Sequence, residues 1–360
     1  MKRIFTTLLF SATLLSCLVS CGGKPSDPNM INYIGRYQTE TINGKEVTTF
    51  SYTASGFEFK VNVTSNNYRL GLNLFSQTFD GFAEQYINVY VDDLLMEKVK
   101  LDKSENLVSI SNLSLGEHVI RINKLNEAQF SKMGLIDYVL ENVEIVEISK
   151  RNKKIVEFYG DSITCGYGNL ATQREGFSML TEDGMQSYGQ LTADHLNWDS
   201  SIISYSGIAL AMSPFNSPYT LMDKYNTVDG YKPWDFSTNI PDVVVINIGT
   251  NDNTYYRTLT GAAQEEATNL FFNNYKTLMK NIKTYYPDVK IVCVSNMMVE
   301  LNGFLNMCMQ GAVQQLNNEY GEFSYYLEFL PNNQGADGHP GLSAHISNAE
   351  TLANFINTII

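Results

Sequence analysis

Asp242-Val243-Val244-Val245-Ile246-Asn247-Ile248 runs straight into Gly249-Thr250-Asn251-Asp252, and that junction decides the fold. A strand with one wet face alternates apolar and polar residues; this one is nearly continuous and β-branched, as a strand buried on both faces of a parallel sheet must be. Its neighbours agree. Strands are expected over 154–159, 201–205, 290–294 and 323–329. Helices are expected over 187–196, 262–286 (stopped by Pro287), 304–320 and 343–359. Strand–helix alternation of this kind predicts an α/β domain over 153–360, an open parallel sheet covered by helices.

Upstream the period changes. Segments 56–63, 68–74, 87–91, 116–122 and 143–148 alternate strictly, with turn residues between them and no long helical run. That pattern predicts a β-sandwich of the jelly-roll kind over 31–148. The basic stretch Lys150-Arg151-Asn152-Lys153-Lys154 joins the two domains.

The first residues read as a targeting signal. Lys2-Arg3 precede an uncharged apolar stretch, which ends in Leu18-Val19-Ser20-Cys21. This resembles a bacterial lipobox and makes 1–20 a lipoprotein signal peptide with Cys21 as the lipid attachment site. A second match, Leu14-Leu15-Ser16-Cys17, lies four residues earlier. Cys21 is preferred because the polar tether Gly22-Gly23-Lys24-Pro25-Ser26-Asp27-Pro28 follows it, within a linker over 21–30. The expectation is an exported protein, held to a bacterial membrane by the N-terminal lipid alone, in the periplasm or on the cell surface.

Composition excludes several roles. With 44% hydrophobic and 18% charged residues the 360-residue chain is globular, and a formal charge of −13 repels nucleic-acid phosphates. Cys165, Cys293 and Cys308 are odd in number, far apart and without CxxC spacing, so no disulfide framework or zinc site follows, and buried free thiols are expected. No cofactor or metal is implied.

Ligands of open α/β sheets bind beyond the carboxyl ends of the strands, and three polar clusters fall there: Gly160-Asp161-Ser162-Ile163-Thr164, Gly249-Thr250-Asn251-Asp252 and Asp337-Gly338-His339-Pro340. Each alone can be ordinary turn or cap chemistry. Together they provide an alcohol, an amide and an imidazole. A serine hydroxyl needs a base to become a nucleophile, and histidine titrates near working pH. Of the four histidines, His118 lies in a sandwich strand, His195 in a helix and His345 in the closing helix; His339 alone sits in a loop at a strand end. Asp337 can accept the second imidazole N–H. The N–H groups of Ser162 and Gly207 and the side-chain amide of Asn251 are candidate oxyanion donors. Asp161 and Asp252 read as loop-ordering residues. Trp234 is either a sugar-stacking platform or a hinge-packing residue.

Ser162, Gly207, Asn251 and His339 resemble the four blocks of the SGNH (GDSL) hydrolase superfamily. The resemblance implies a flavodoxin-like three-layer domain and metal-independent ester hydrolysis through an acyl-enzyme. That superfamily usually places its aspartate three residues before the histidine; here the spacing is two. The short spacing, Pro340, the preceding β-sandwich and Trp234-Asp235-Phe236 before Pro241-Asp242-Val243-Val244 are similar to carbohydrate esterase family 2. That likeness implies an acetyl xylan esterase-like enzyme, removing O-acetyl groups from xylan- or mannan-type polysaccharide. Either Asp337 or a backbone carbonyl then orients His339. The rival readings are a lipase-like or peptidoglycan O-acetyl esterase on the same scaffold, and a noncatalytic glycan-binding lipoprotein.

Overall fold

The computed structural model describes residues 20–22, 30–215, 217–299, 301 and 303–360. The expected signal peptide over 1–20 and tether over 21–30 lie outside these apart from Ser20–Gly22 and residue 30, and so does the side chain of Cys21. The backbone of Ser20–Gly22 pairs antiparallel with Tyr138–Leu140, so Cys21 and Gly22, read as the start of a tether, form a short edge strand. No helix of the described residues is long and apolar enough to cross a membrane.

The carboxyl-terminal domain is a five-stranded parallel sheet. β1 (Ile155–Gly160), β2 (Asp199–Ser204), β3 (Val243–Asn247), β4 (Lys290–Ser295) and β5 (Ser324–Glu328) lie in the order β2-β1-β3-β4-β5. All five residues of β3 are buried, as its unbroken apolar run requires. Alternate residues serve opposite faces: Val244 and Ile246 pack under α5 (Ala262–Tyr285) and α6 (Gly303–Tyr320). Val243 and Val245 pack under α2 (Tyr188–Leu196) and α7 (Leu342–Ile359). The result is the expected three-layer arrangement, with the connections leaving β1 and β3 in opposite directions across the sheet. A crevice opens there at the carboxyl ends.

Two short helices fill that crevice, α1 (Ser162–Cys165) and α4 (Thr250–Tyr256). Helices of four and seven residues carry too little periodicity to be told from turns by sequence. A third, α3 (Leu221–Lys224), lies beyond β2.

The amino-terminal domain is a sandwich of two antiparallel sheets, six strands each among the described residues, around Phe57, Phe59, Leu72, Leu74, Ile120, Ile122, Met133 and Leu135. The alternating segments read from sequence are strands. Others were not visible. Lys45–Phe50 is threonine-rich, Leu94–Leu101 is largely exposed, and Ser131–Glu141 loses its period at an irregularity between Leu135 and Asp137.

The domains are welded by buried polar groups. Arg36 of the sandwich, 1% exposed, donates to the carbonyls of Tyr225 and Thr227 (2.7 Å each), to the Tyr159 hydroxyl (2.8 Å) and to Glu157 Oε1 (3.2 Å). A buried ion pair of this kind is costly to break because the survivor keeps its charge without a partner.

Candidate active site

Four strand ends converge on one cleft of about 820 Å³, lined by Ser162, Gly207, Asn251 and His339. Ser162 follows β1 directly. Asp161 caps its helix, Oδ1 accepting from the Ile163 N–H at 3.0 Å, and Gly166 ends it in a left-handed conformation. A four-residue helix carries little macrodipole, so what α1 offers an oxyanion is the N–H of Ser162 itself, which has no intrahelical acceptor at the first position. Burial pushes the Asp161 carboxyl up to about 7, while its bond from the Ile163 N–H opposes that shift.

His339 Nε2 lies 2.8 Å from Ser162 Oγ, and His339 Nδ1 lies 3.1 Å from the Ala336 carbonyl. A carbonyl only accepts, so Nδ1 carries the proton and Nε2 presents its lone pair to the serine. Burial lowers the imidazole pKa; the Ala336 carbonyl and the Asp337 charge oppose that shift. The ring of Tyr167 covers the imidazole, centroids 4.2 Å apart, and Phe177 stacks on Tyr167 at 4.2 Å.

Asp337 does not complete a triad. Its Oδ2 accepts from the Tyr167 hydroxyl (3.2 Å) and the Phe177 N–H (3.1 Å), and no carboxylate bond to His339 occurs among the described residues. The cause is backbone geometry: Asp337 sits at φ +50°, which turns its side chain away while leaving the carbonyl of residue 336 under the ring. Of the two orienting groups left open by the sequence, the carbonyl is the one in place.

The oxyanion candidates share the cleft wall. Gly207 takes φ +73° in the turn after β2, in the left-handed region that favours glycine. Asn251 follows Gly249, whose φ of +124° allows β3 to break sharply into α4. One proton of the Asn251 amide goes to the Ile208 carbonyl at 2.8 Å, which leaves the other for a ligand. Asp252 accepts from the N–H groups of Leu210, Ala211 and Met212 at 2.8–2.9 Å, the loop-ordering part expected of it.

Trp234 is not in the cleft. Its ring lies 5.3 Å from the Arg36 guanidinium at the domain seam, so the hinge-packing reading is correct and the platform reading is not. The aromatic groups that do reach the opening are Phe215 (67% exposed), Tyr219 and Tyr231 (77% exposed). The Lys224 ammonium sits 3.8 and 4.3 Å from the two tyrosine rings. Sequence reasoning missed these, and missed that the sandwich supplies a wall of the cleft through Phe79, Gln129 and Phe130. Nothing local distinguishes such residues from ordinary loop aromatics.

Cys165, Cys293 and Cys308 are buried free thiols. Among the described residues one group of metal-ligand types converges, Glu127, Cys165 and Glu182, at the carboxyl end of α1. The Lys124 ammonium supplies the countercharge there; burial pushes its pKa down to about 7 against the pull of both carboxylates.

An alcohol, an imidazole held in one tautomer and amide donors at the carboxyl end of a flavodoxin-like sheet define a GDSL-type serine hydrolase domain. Residues 158–329 match the GDSL-like lipase/acylhydrolase family and residues 33–147 the carbohydrate esterase 2 N-terminal domain. The chain thus joins a GDSL-like hydrolase domain to a carbohydrate esterase 2 N-terminal domain, and the relatives and solved structures it resembles are carbohydrate esterases. It is 31% identical over 289 residues to the cellulase/esterase CelE of Acetivibrio thermocellus, covering 77% of this chain but 34% of that protein. The chain therefore spans about a third of that relative's length. It is 22% identical, over 100% of this chain and 99% of the other, to an acetylxylan esterase/glucomannan deacetylase of Cellvibrio japonicus. The solved structure of a family two carbohydrate esterase from Clostridium thermocellum in complex with cellohexaose superposes with a TM-score of 0.80. It is 27% identical, covering 91% of this chain and 98% of that one.

Proposed function

We propose that this chain removes O-acetyl groups from a xylan- or mannan-type polysaccharide through a Ser162–His339 dyad. The observation that carries the reading is the 2.8 Å contact between His339 Nε2 and Ser162 Oγ inside an open cleft. Nε2 takes the hydroxyl proton as Oγ attacks the acetyl carbon. The negative charge on the carbonyl oxygen is met by the N–H groups of Ser162 and Gly207 and the free amide proton of Asn251. The imidazolium returns its proton to the departing sugar oxygen, leaving an acetyl-serine. Water activated by the same nitrogen then releases acetate. The Ala336 carbonyl holds the imidazole in the working tautomer throughout.

The substrate class rests on the rim and on the relatives. Exposed faces of Phe215 and Tyr231 suit pyranose rings, and the family two structure named above was solved with a glucan chain. Export and lipid anchorage through Cys21 belong to the same proposal: acetylated polysaccharide is met outside the cell.

The test is acetate release from acetylated xylan and glucomannan, beside long-chain acyl esters, by the wild type and by Ser162→Ala. The expected result is acetate from the glycans, little action on long chains, and a loss of about 10⁴-fold or more in kcat for the variant. Equal action on long chains would turn the reading toward a lipase. A wild type that cleaves no acetyl ester would turn it toward a noncatalytic binder, and a Ser162→Ala as active as wild type would remove Ser162 as the nucleophile.

A further inference from the structure

We propose that Glu127, a residue of the sandwich domain, is a positioning residue for the oxyanion-binding turn of the hydrolase domain. The inference rests on the ester-hydrolysis reading above. Glu127 lies just beyond the strand Gly116–Lys124 and is fully buried in the seam. Each of its carboxyl oxygens accepts from Ser206 across the seam, while the Glu182 and Cys165 side chains pack against the same group. Oε2 accepts from the Ser206 N–H at 2.7 Å, and Oε1 accepts from the Ser206 hydroxyl. Ser206 immediately precedes Gly207, so this double grip, on the 205–206 peptide N–H and on the Ser206 side chain, holds the residue from which the Gly207 N–H is suspended.

The far side of the same turn is held from within the hydrolase domain. Asn251 Nδ2 donates to the Ile208 carbonyl, and Asp252 accepts from residues 210–212. The turn is therefore clamped between two domains, and the hydrolase domain alone supplies one jaw.

Glu127 is itself immobilised. Its N–H donates to Glu182 Oε2 at 3.2 Å, and its carbonyl accepts from Lys124 Nζ at 3.1 Å. The adjoining Asn126 accepts from the Tyr86 N–H and donates to the Met179 carbonyl, both at 2.7 Å. A buried carboxylate is an expensive way to hold a loop. Its retention beside Gly207 is explained if a small displacement of an oxyanion donor costs rate, and misplacements of about 1 Å can cost about 10². The next three residues, Ala128, Gln129 and Phe130, line the cleft, so the same loop carries both the wall and the clamp.

The test measures kcat and KM on 4-nitrophenyl acetate, with melting temperatures, for the intact chain and four variants. Glu127→Ala is expected to lose about 30- to 100-fold in kcat with KM within about threefold. Glu127→Gln keeps an oxygen for the Ser206 N–H and should recover to within about fivefold of wild type. Ser206→Ala, which keeps the main-chain bond to Glu127 and removes the hydroxyl one, should lose about three- to tenfold in kcat. Lys98→Ala removes another seam contact, to the Leu180 carbonyl and Asp183, away from the turn, and should leave kcat unchanged. A folded Glu127→Ala with wild-type kcat would overturn the proposal; so would a loss confined to KM, or a Glu127→Gln as poor as alanine. If Glu127→Ala does not fold, Ser206→Ala and Glu127→Gln decide, and wild-type kcat in Ser206→Ala overturns it. A wild type inert on acetyl esters ends both this proposal and the reading beneath it, whereas an active wild type with an indifferent Glu127→Ala ends this one alone.

Discussion

The loop after β5, which delivers His339, and the loop after β2, which delivers Gly207, are held in place by different means. The first is tied by its own main chain: the Gly335 N–H donates to the His339 carbonyl at 2.7 Å, the His339 N–H to the Ala336 carbonyl at 2.9 Å, and the ring to that same carbonyl. The second is tied by side chains from elsewhere: Glu127 at residue 206, Asn251 at residue 208 and Asp252 at residues 210–212. Main-chain ties survive most substitutions, because every residue except proline carries the donor. Side-chain ties are lost with one codon. The His339 ring is therefore robustly placed and the Gly207 turn is fragile.

The largest effect outside the reacting residues is expected from Asp252→Ala. It strands three main-chain N–H groups around a fully buried position. At ~1–3 kcal/mol for each unsatisfied donor, stability should fall by about 3 kcal/mol or more. The loosened loop should also cost about 10²-fold in kcat. Denaturant melts and acetyl-ester kinetics on the same preparation check both. A variant with wild-type stability and rate would erase the contrast between the loops.

A smaller effect, and one that varies with pH, is expected beside the base loop. His345, in the first turns of α7, is buried and accepts from the Tyr188 N–H through Nδ1 at 2.9 Å, which requires a neutral ring. Burial pushes its pKa down to about 3, with the neighbouring His339 adding to the shift. A depressed histidine excludes a proton that the unfolded chain binds. Its contribution is therefore intact above about 6.5 and lost as pH falls toward about 3, by at most about 1.4 kcal/mol per unit. Asp252 has the opposite sign. Burial, resisted by its main-chain bonds, raises its carboxyl to about 6, so its contribution is fullest below about 3.9 and declines as pH rises through about 6. The stability gap between wild type and His345→Gln should accordingly shrink between pH 7 and pH 4; a constant gap would show that the ring is not held neutral. Because His339 is also depressed, the acid limb of kcat/KM should fall with a midpoint below 6.5.

The difference between the loops also explains what could be read from sequence. The β3 run, the long helices α5 and α7 and the residues Ser162, Asn251 and His339 announce themselves, because apolar period and polar clusters at strand ends are properties of short segments. Arg36, Glu127 and Glu157 do not. A charged residue in a polar stretch such as Asn123-Lys124-Leu125-Asn126-Glu127 looks like a solvated turn, and only the docking of the second domain buries it. Asp337 misled for a related reason. Proximity in sequence to His339 suggested a partner, but the left-handed backbone at that residue aims its carboxylate at Tyr167 and Phe177. Trp234 misled because an aromatic residue before a strand carries no mark of which side of the seam it will face.

The smallest effect, and the sharpest test of the contrast, belongs to Asp337→Asn. If a carboxylate oriented the imidazole, the amide would reverse the hydrogen-bond polarity at Nδ1 and cost about 10⁴ in kcat. Here the polarity is set by the Ala336 carbonyl, which the substitution leaves alone. Asparagine tolerates the φ of +50° that residue 337 adopts, and its carbonyl oxygen can still accept from the Phe177 N–H. What is lost is the charge near the ring and part of the grip on Tyr167, whose face covers His339. The expected kcat is within about tenfold of wild type, with the acid limb of kcat/KM moved slightly lower because a nearby negative charge no longer favours the imidazolium. A fall of 10³ or more would mean that the main-chain tie does not suffice to hold the base, and the two loops would then depend on carboxylates alike.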